Sequence, residues 1–202
     1  MGEGKKKLTD EIMIGPRKAQ NRFMIQAMET NMEDESGNPS ERTIQRYEDL
    51  ARGDAGLITL EAISVTRESR ARDNQLMIMP QNEQALTHFM DRVHAANPKS
   101  LVVFQLTHSG ELSNPEFSRR VTPNPLPGLG GELLSEEDVD RILDEYVTAA
   151  KIAYNAGADG IDLKLCHGYL GSQMIRPHND RNWKYGGSWE NRTRFPYELM
   201  ER

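Results

Sequence analysis

The sequence predicts an α/β fold, the N-terminal (βα)4 half of a TIM (β/α)8 barrel, and three observations carry that expectation. Short apolar runs alternate with longer helical patterns in four strand-helix units in strict order, the arrangement of a parallel sheet buried on both faces. The turn after the first run reads Met28-Glu29-Thr30, where an open dinucleotide-binding sheet normally has glycines, so a barrel is favoured over a doubly wound sheet. At 202 residues the chain falls short of the roughly 250 that a full barrel takes, and only about a dozen residues follow the start of the fourth helix.

Taken in order, Asn21 to Ala27 reads as the first strand, and Pro39-Ser40 opens a helix through Thr43, Tyr47 and Leu50 with Gly53 close to its end. Gly56 to Ala62 is a second buried strand, followed by a polar loop and a helix from Asn82 to Ala96. Leu101 to Leu106 is the third strand. In the next helix Ser135 caps the N-terminus, Asp138 completes a capping box and Gly157 supplies the stop. Ile161 to Leu165 is the fourth strand, and a last helix starts near Glu190. Residues 1–202 thus read as a single partial-barrel domain.

Bulk composition narrows the function classes. Hydrophobic residues make up 37% and charged residues 28%, too apolar for a disordered chain. A net charge of −6 leaves no basic surface for phosphates, which argues against nucleic acid; Lys5, Lys6 and Lys7 read as a solvated tail. No run approaches the roughly 18 apolar residues of a membrane span and no secretory signal is visible, so a cytoplasmic protein without a membrane partner is expected. The single cysteine, Cys166, excludes an internal disulfide and any all-cysteine metal site in the chain, and no other cluster of metal ligands is evident.

The loops 106–134 and 166–190 are far longer than a connection needs, and long loops at the C-terminal ends of parallel strands are where barrel enzymes keep their chemistry. Those ends carry unusual residues: Met28 and Glu29, Glu61 and Ala62, Gln105 and His108, Lys164 and His167. Gln105 is polar within an apolar strand; it is either a satisfied core amide or the donor and acceptor that a flat heterocycle with alternating carbonyl and N–H groups requires. Lys164 either snorkels to solvent or points into a polar pocket as an anion or carbonyl donor. His167 and Tyr169 either pack their loop or polarise a carbonyl and deliver a proton.

The stretch Gly160-Ile-Asp-Leu-Lys-Leu-Cys-His-Gly-Tyr-Leu170, followed by Tyr185-Gly-Gly-Ser-Trp-Glu-Asn-Arg-Thr-Arg-Phe195, closely resembles the signature of the old yellow enzyme family. Ile14-Gly-Pro16, Asn21-Arg22, Ala27-Met28, Gly56-Leu-Ile-Thr-Leu-Glu-Ala62 and Gln105-Leu-Thr-His-Ser-Gly110 fall in the family's order and spacing. The resemblance implies an FMN-containing barrel that takes hydride from NADH or NADPH and passes it to an activated C=C bond of a small-molecule substrate. It places the backbone around Ala27, Met28 and Ala62 against the isoalloxazine, Gln105 at its pyrimidine edge and Glu29 near N5. It sets Lys164 and His167 at the substrate's carbonyl oxygen, with Tyr169 as proton donor.

The sequence also departs from the family. Lys164 replaces the usual first histidine, Glu29 replaces the common Thr or Cys, and Glu111 follows Gly110 where arginine is frequent. The glycine-rich phosphate loops that the family places after its seventh and eighth strands have no counterpart, so the resemblance implies the ring-binding half of the FMN site alone. The alternative is a non-catalytic half-barrel, a fragment or subunit that needs a C-terminal partner or forms a homo-oligomer.

Overall fold

In the computed structural model, which describes residues 5–202, the chain begins with an antiparallel hairpin of β1 (Ile12–Ile14) and β2 (Arg17–Ala19). Gly15, at φ 55°, supplies the positive φ that its two-residue turn needs. The Arg17 guanidinium lies 3.7 Å from Asp159, and the Gln20 amide donates to the Ala55 carbonyl at 3.3 Å, which sets the hairpin against the N-terminal ends of the later strands.

The main sheet is built from repeating strand-helix units. β3 (Met24–Ile25) leads to α1 (Glu41–Arg52), β4 (Leu57–Ser64) to α2 (Glu83–Ala96), and β5 (Leu101–Thr107) to a long loop holding the small parallel pair β6 (Val121–Thr122) and β7 (Glu132–Leu133). α3 (Glu136–Asn155) and β8 (Gly160–Leu163) follow, and the sheet order is β3-β4-β5-β8 with every pair parallel. The expected alternation is therefore observed. The first strand is shorter than its apolar run, because only Met24 and Ile25 pair with β4 while the Phe23 carbonyl takes the N–H groups of Gly56 and Leu57. The segment after β8 contains α4 (Leu170–Ile175), and the last helix is broken into α5 (Trp189–Arg192) and α6 (Arg194–Glu201).

Helix ends follow their capping chemistry. The Ser40 hydroxyl accepts from the Thr43 N–H at the start of α1, and the Ser135–Asp138 capping box forms as expected. Gly157, at φ 88°, closes α3, with the Ala158 N–H reaching back to the Ala153 carbonyl. At α1 the left-handed residue is Asp54, at φ 59°, while Gly53 keeps a negative φ.

The core lies between the sheet and the helices. Val102, Phe104 and Leu106 of β5 pack beneath Ile44 and Tyr47 of α1, Phe89 and Val93 of α2, and Leu143 and Tyr146 of α3. The opposite face differs from the sequence expectation of burial on both sides. Leu101, Val103, Gln105, Gly160 and Asp162 are only half-buried, because the helices cover one face and no element among the described residues covers these positions on the other. Beside β8 an apolar groove runs between Ile161 and Leu163, Tyr146, Ala150 and Tyr154 of α3, and Leu199 and Met200 of α6.

Buried polar contacts pin the loops. Glu111, 1% exposed, accepts both Nη atoms of Arg176 at 2.5 and 3.1 Å, tying the loop after β5 to the loop after β8. Gly110, at φ 60°, lies so close under the Gln173 amide that any side chain would collide with it. Between β3 and α1, Glu61 accepts from the Thr30 N–H at 2.7 Å, from the Thr30 hydroxyl and from the Tyr47 hydroxyl, while Glu33 accepts from Thr43. Burial, then the charge of Glu61, pushes the Glu33 carboxyl up to about 7.

Between the ordinary carboxyl value of 4.5 and about 7, folded Glu33 keeps a proton that the unfolded chain has lost, so this group makes stability fall as pH rises through that window. Glu33→Gln removes the effect, and the variant should gain on the wild type by on the order of 1 to 3 kcal/mol between pH 5 and pH 8. Urea denaturation at the two pH values measures the gain; an unchanged difference would mean that Glu33 titrates normally.

Candidate active site

The C-terminal ends of the strands open onto a cleft of about 690 Å³, in the size range of small-molecule sites. Ala27, Met28, Glu29, Ala62, Gln105, Lys164, His167 and Tyr169, all singled out in the sequence, line it together with Gln26, Arg72 and Cys166. They come from the loops after β3, β4 and β8, from β4 itself at Ala62, and from the inner face of β5.

Glu29 is the centre of the polar wall. Its Oε1 accepts from Lys164 Nζ at 3.3 Å and from the Tyr169 hydroxyl at 3.1 Å, and its Oε2 accepts from Arg72 Nε at 2.9 Å. Lys164 Nζ also sits 4.0 Å from the centroid of the Tyr169 ring, within cation–π range. Lys164 is 7% exposed, so it does not snorkel to solvent but points into the pocket. Two cations thus face one carboxylate. Burial, then the negative charge of Glu29, pushes the Tyr169 hydroxyl up to about 12, which keeps it protonated.

Local backbone explains how these groups reach the rim. The Lys164 N–H donates to the Leu106 carbonyl, extending the β5–β8 pairing by one residue. The chain then turns sharply through His167 at φ 58° and Gly168 at φ 74°, and the Tyr169 N–H returns to the Cys166 carbonyl. A left-handed non-glycine residue is uncommon, and such strain concentrates at functional sites. His167 is exposed at the cleft mouth, and its ring has no hydrogen-bond partner among the described residues.

The other wall is flatter. Ala27 and Met28 lie beyond the end of the β3–β4 ladder, and their main-chain N–H and C=O groups have no partner among the described residues. Gln75 Nε2 donates to the Ala62 carbonyl at 3.0 Å from behind. Gln105 Nε2 donates to Asp162 Oδ2 at 2.6 Å, so its amide nitrogen is satisfied while its carbonyl oxygen has no donor among the described residues. A flat ring with both donors and acceptors fits this wall.

Some rim candidates serve elsewhere. His108 lies outside the cleft, its Nδ1 accepting the Gly110 N–H at 3.0 Å, and burial pushes it down to about 3 and so keeps it neutral. Glu61 sits behind the cleft and holds the Thr30 turn. Two residues were missed in the sequence. Asp162 stands two positions before Lys164 on the same face of β8, so strand alternation could have found it. Arg72 lies in an irregular loop 43 residues from Glu29, and no local pattern signals that contact.

Comparison with known proteins agrees with this geometry. The chain is 33% identical to the NADH oxidase of Thermoanaerobacter brockii over 96% of its own length and 31% of that protein's. It is 32% identical to the cinnamate reductase of Clostridium sporogenes over 97% of its length and 32% of that protein's. The structure of the old yellow enzyme homologue from Zymomonas mobilis superimposes with a TM-score of 0.88 at 29% identity, covering 97% of this chain and 59% of that one. The chain therefore spans about a third of these two curated relatives, and its fold is part of a barrel. The sequence profile of the NADH:flavin oxidoreductase / NADH oxidase family matches residues 7–202, and the chain belongs to that family of oxidoreductases.

Proposed function

We propose that the chain, read as one partial-barrel domain over residues 1–202, forms the substrate face and ring-binding wall of an FMN-dependent ene-reductase that uses NADH or NADPH and works in the cytoplasm. The observation that carries this reading is the meeting of Lys164, His167 and Tyr169 beside the flat wall of Ala27, Met28, Ala62 and Gln105. The unpartnered main chain of Ala27 and Met28 and the free Gln105 carbonyl suit the polar edge of the FMN ring, and the small side chains of Ala27 and Ala62 leave room for its plane. When bound, FMN supplies hydride transfer. Similarity to a cinnamate reductase supports a C=C bond as the acceptor.

The chain's own groups do the rest. Lys164 keeps two of its three N–H donors after bonding Glu29, and with His167 it holds the substrate's carbonyl oxygen as negative charge develops there. Tyr169 keeps its proton at neutral pH and delivers it to the α-carbon. Glu29 holds Lys164 and Tyr169 at a fixed spacing, and Arg72 offsets its charge.

A second reading is favoured by the half-open inner face and by the groove beside β8: the chain binds FMN only when a C-terminal half of the barrel, on the same polypeptide or on a partner or second copy, covers that face. Flavin absorbance of the purified 202-residue chain separates the two, since a colourless monomer would assign flavin binding to the completed barrel.

For the FMN-loaded protein, Lys164→Met or His167→Ala should cost about 2.7 to 4 kcal/mol of barrier in the half-reaction with the C=C acceptor and much less in the half-reaction with NADH or NADPH. Tyr169→Phe should slow only the acceptor half-reaction, by about 10² to 10⁴-fold. Stopped-flow kinetics of both half-reactions measures this; equal slowing of the two by the Lys164 and His167 variants would mean that these residues hold FMN or the loop. Glu29→Gln should lower the Tyr169 ionisation from about 12 towards its ordinary value of 10, because the carboxylate charge is gone while burial remains. Ultraviolet titration of tyrosinate, with Tyr169→Phe as the reference, reads the shift, and an unmoved curve would show that burial alone sets it.

A further inference from the structure

We infer that Glu61 is a positioning residue of the cleft: acting through Thr30, it sets where Glu29 stands and so where Lys164 and Tyr169 are held, and Glu33, which competes for the same threonine hydroxyl, makes that hold depend on pH. The inference rests on the ene-reductase reading only for what Tyr169 then does.

Residues 26–32 belong to no helix or strand, so side chains fix their course. Thr30, next in the chain to Glu29, is held twice by one carboxyl group: its N–H donates to Glu61 Oε2 at 2.7 Å, and its hydroxyl lies 3.0 Å from Oε1. Glu61 is itself braced. The Tyr47 hydroxyl donates to Oε1 at 3.3 Å and accepts the Glu61 N–H at 2.9 Å, which ties the side chain to its own main chain and to α1. The peptide between residues 29 and 30 is thereby fixed in orientation, and from it Glu29 reaches forward to Lys164, Tyr169 and Arg72. Asn31 continues the turn at φ 53° and accepts the Asn74 N–H.

Glu33 is the second carboxyl group behind this turn. Its Oε2 accepts the Met32 N–H at 3.0 Å, while its Oε1 accepts from the Thr43 hydroxyl at 3.2 Å and lies 3.5 Å from the Thr30 hydroxyl. That hydroxyl has one proton to give, and two buried carboxyl groups flank it. Neither has a cation in ion-pair range among the described residues. Arg46 stands beside Tyr47 on α1 without an ion pair, and Arg72 and Lys164 pair with Glu29. Asp34 turns away to the Ser36 and Asn38 N–H groups, and Asp162 lies on the front wall with Gln105. Tyr47 stays protonated, since burial and then the charge of Glu61 raise it far above its ordinary value. While Glu33 carries its proton, Thr30 gives its own to Glu61 and the turn is held. Once Glu33 ionises, at about 7, two like charges face each other and the hydroxyl is divided between them. The hold on Glu29 is therefore firm below that value and slackens above it.

NMR of the chain labelled with carbon-13 at tyrosine Cζ reads the Tyr169–Glu29 bond at neutral pH without FMN or turnover, with Tyr169→Phe to assign the signal and Glu29→Gln as the reference for loss of the bond. Glu61→Ala should move the Tyr169 signal in the direction, and most of the distance, that Glu29→Gln moves it. Glu61→Gln should leave it near wild type, because its carbonyl still accepts the Thr30 N–H and its amide donates to the Thr30 hydroxyl. A role in stability alone would lower the melting temperature of Glu61→Ala with the Tyr169 signal unmoved, and that result overturns the inference. A second arm needs no destabilised variant and carries His167→Ala, so that the imidazole beside Tyr169 adds no titration of its own. There the Thr30 amide proton and the Tyr169 signal should titrate together around pH 7, and both should become flat when Glu33→Gln is added. A Tyr169 signal that ignores pH, or that still titrates with Glu33→Gln, overturns the pH-dependent hold. The ene-reductase reading fails separately, if Tyr169→Phe leaves the acceptor half-reaction at its wild-type rate.

Discussion

Parallel pairing of β4 with β3 and β5, and of β5 with β8, decides which residues can meet. In such a sheet every strand ends on the same side, so the segments after β3, β4 and β8 emerge side by side although helices of 12 to 20 residues separate the strands. Register does the finer placement. Gln105 stands opposite Asp162, which brings the two inward polar side chains into hydrogen-bond contact, and the irregularity in β4 between Leu60 and Ile63 lets Glu61 turn back towards Tyr47 while Ala62 faces the cleft.

Buried charge is organised around that rim in two layers. At the front, Glu29 is paired with Lys164 and Arg72 in a partly buried setting. Behind it, Glu61 and Glu33 have hydroxyl and N–H donors but no cation within ion-pair distance among the described residues, and burial raises both of them. The contrast is one of partners rather than depth, since Glu111, as buried as Glu61, is held below its ordinary value by Arg176. The carboxylate of Glu29 thus shares its charge with two cations of the chain itself.

Much of this was legible in the sequence because it is local. The capping box at Ser135, the stop at Gly157 and the order of strand-helix units follow from periodicity and cap chemistry over a few residues. The placement of Ala27, Met28, Glu29, Ala62, Gln105, Lys164, His167 and Tyr169 around one cleft follows from their positions at strand ends. What the sequence hides depends on long-range geometry. Arg72 sits in a loop without regular structure, so nothing near it marks Glu29 as its partner. The truncated β3 and the half-open inner face depend on what covers a strand, which an apolar run does not record. His108 looks like a rim residue by position but turns behind the rim with its neighbour Gly110, at φ 60°.

The Glu29 contacts also bear on how the chain comes together in time. They join residue 29 to residues 135 and 140 positions further on, among the longest loops the chain can close, and such contacts repay their closure entropy only after the intervening units have docked. Arg72, 43 residues away, can reach Glu29 once the first two units are formed. A chain emerging from synthesis would first hold Glu29 and Arg72 as a neutral pair. Lys164 and Tyr169 join that pair only when β8 enters the sheet, so the last donors to Glu29 and the floor of the cleft are completed in the same step.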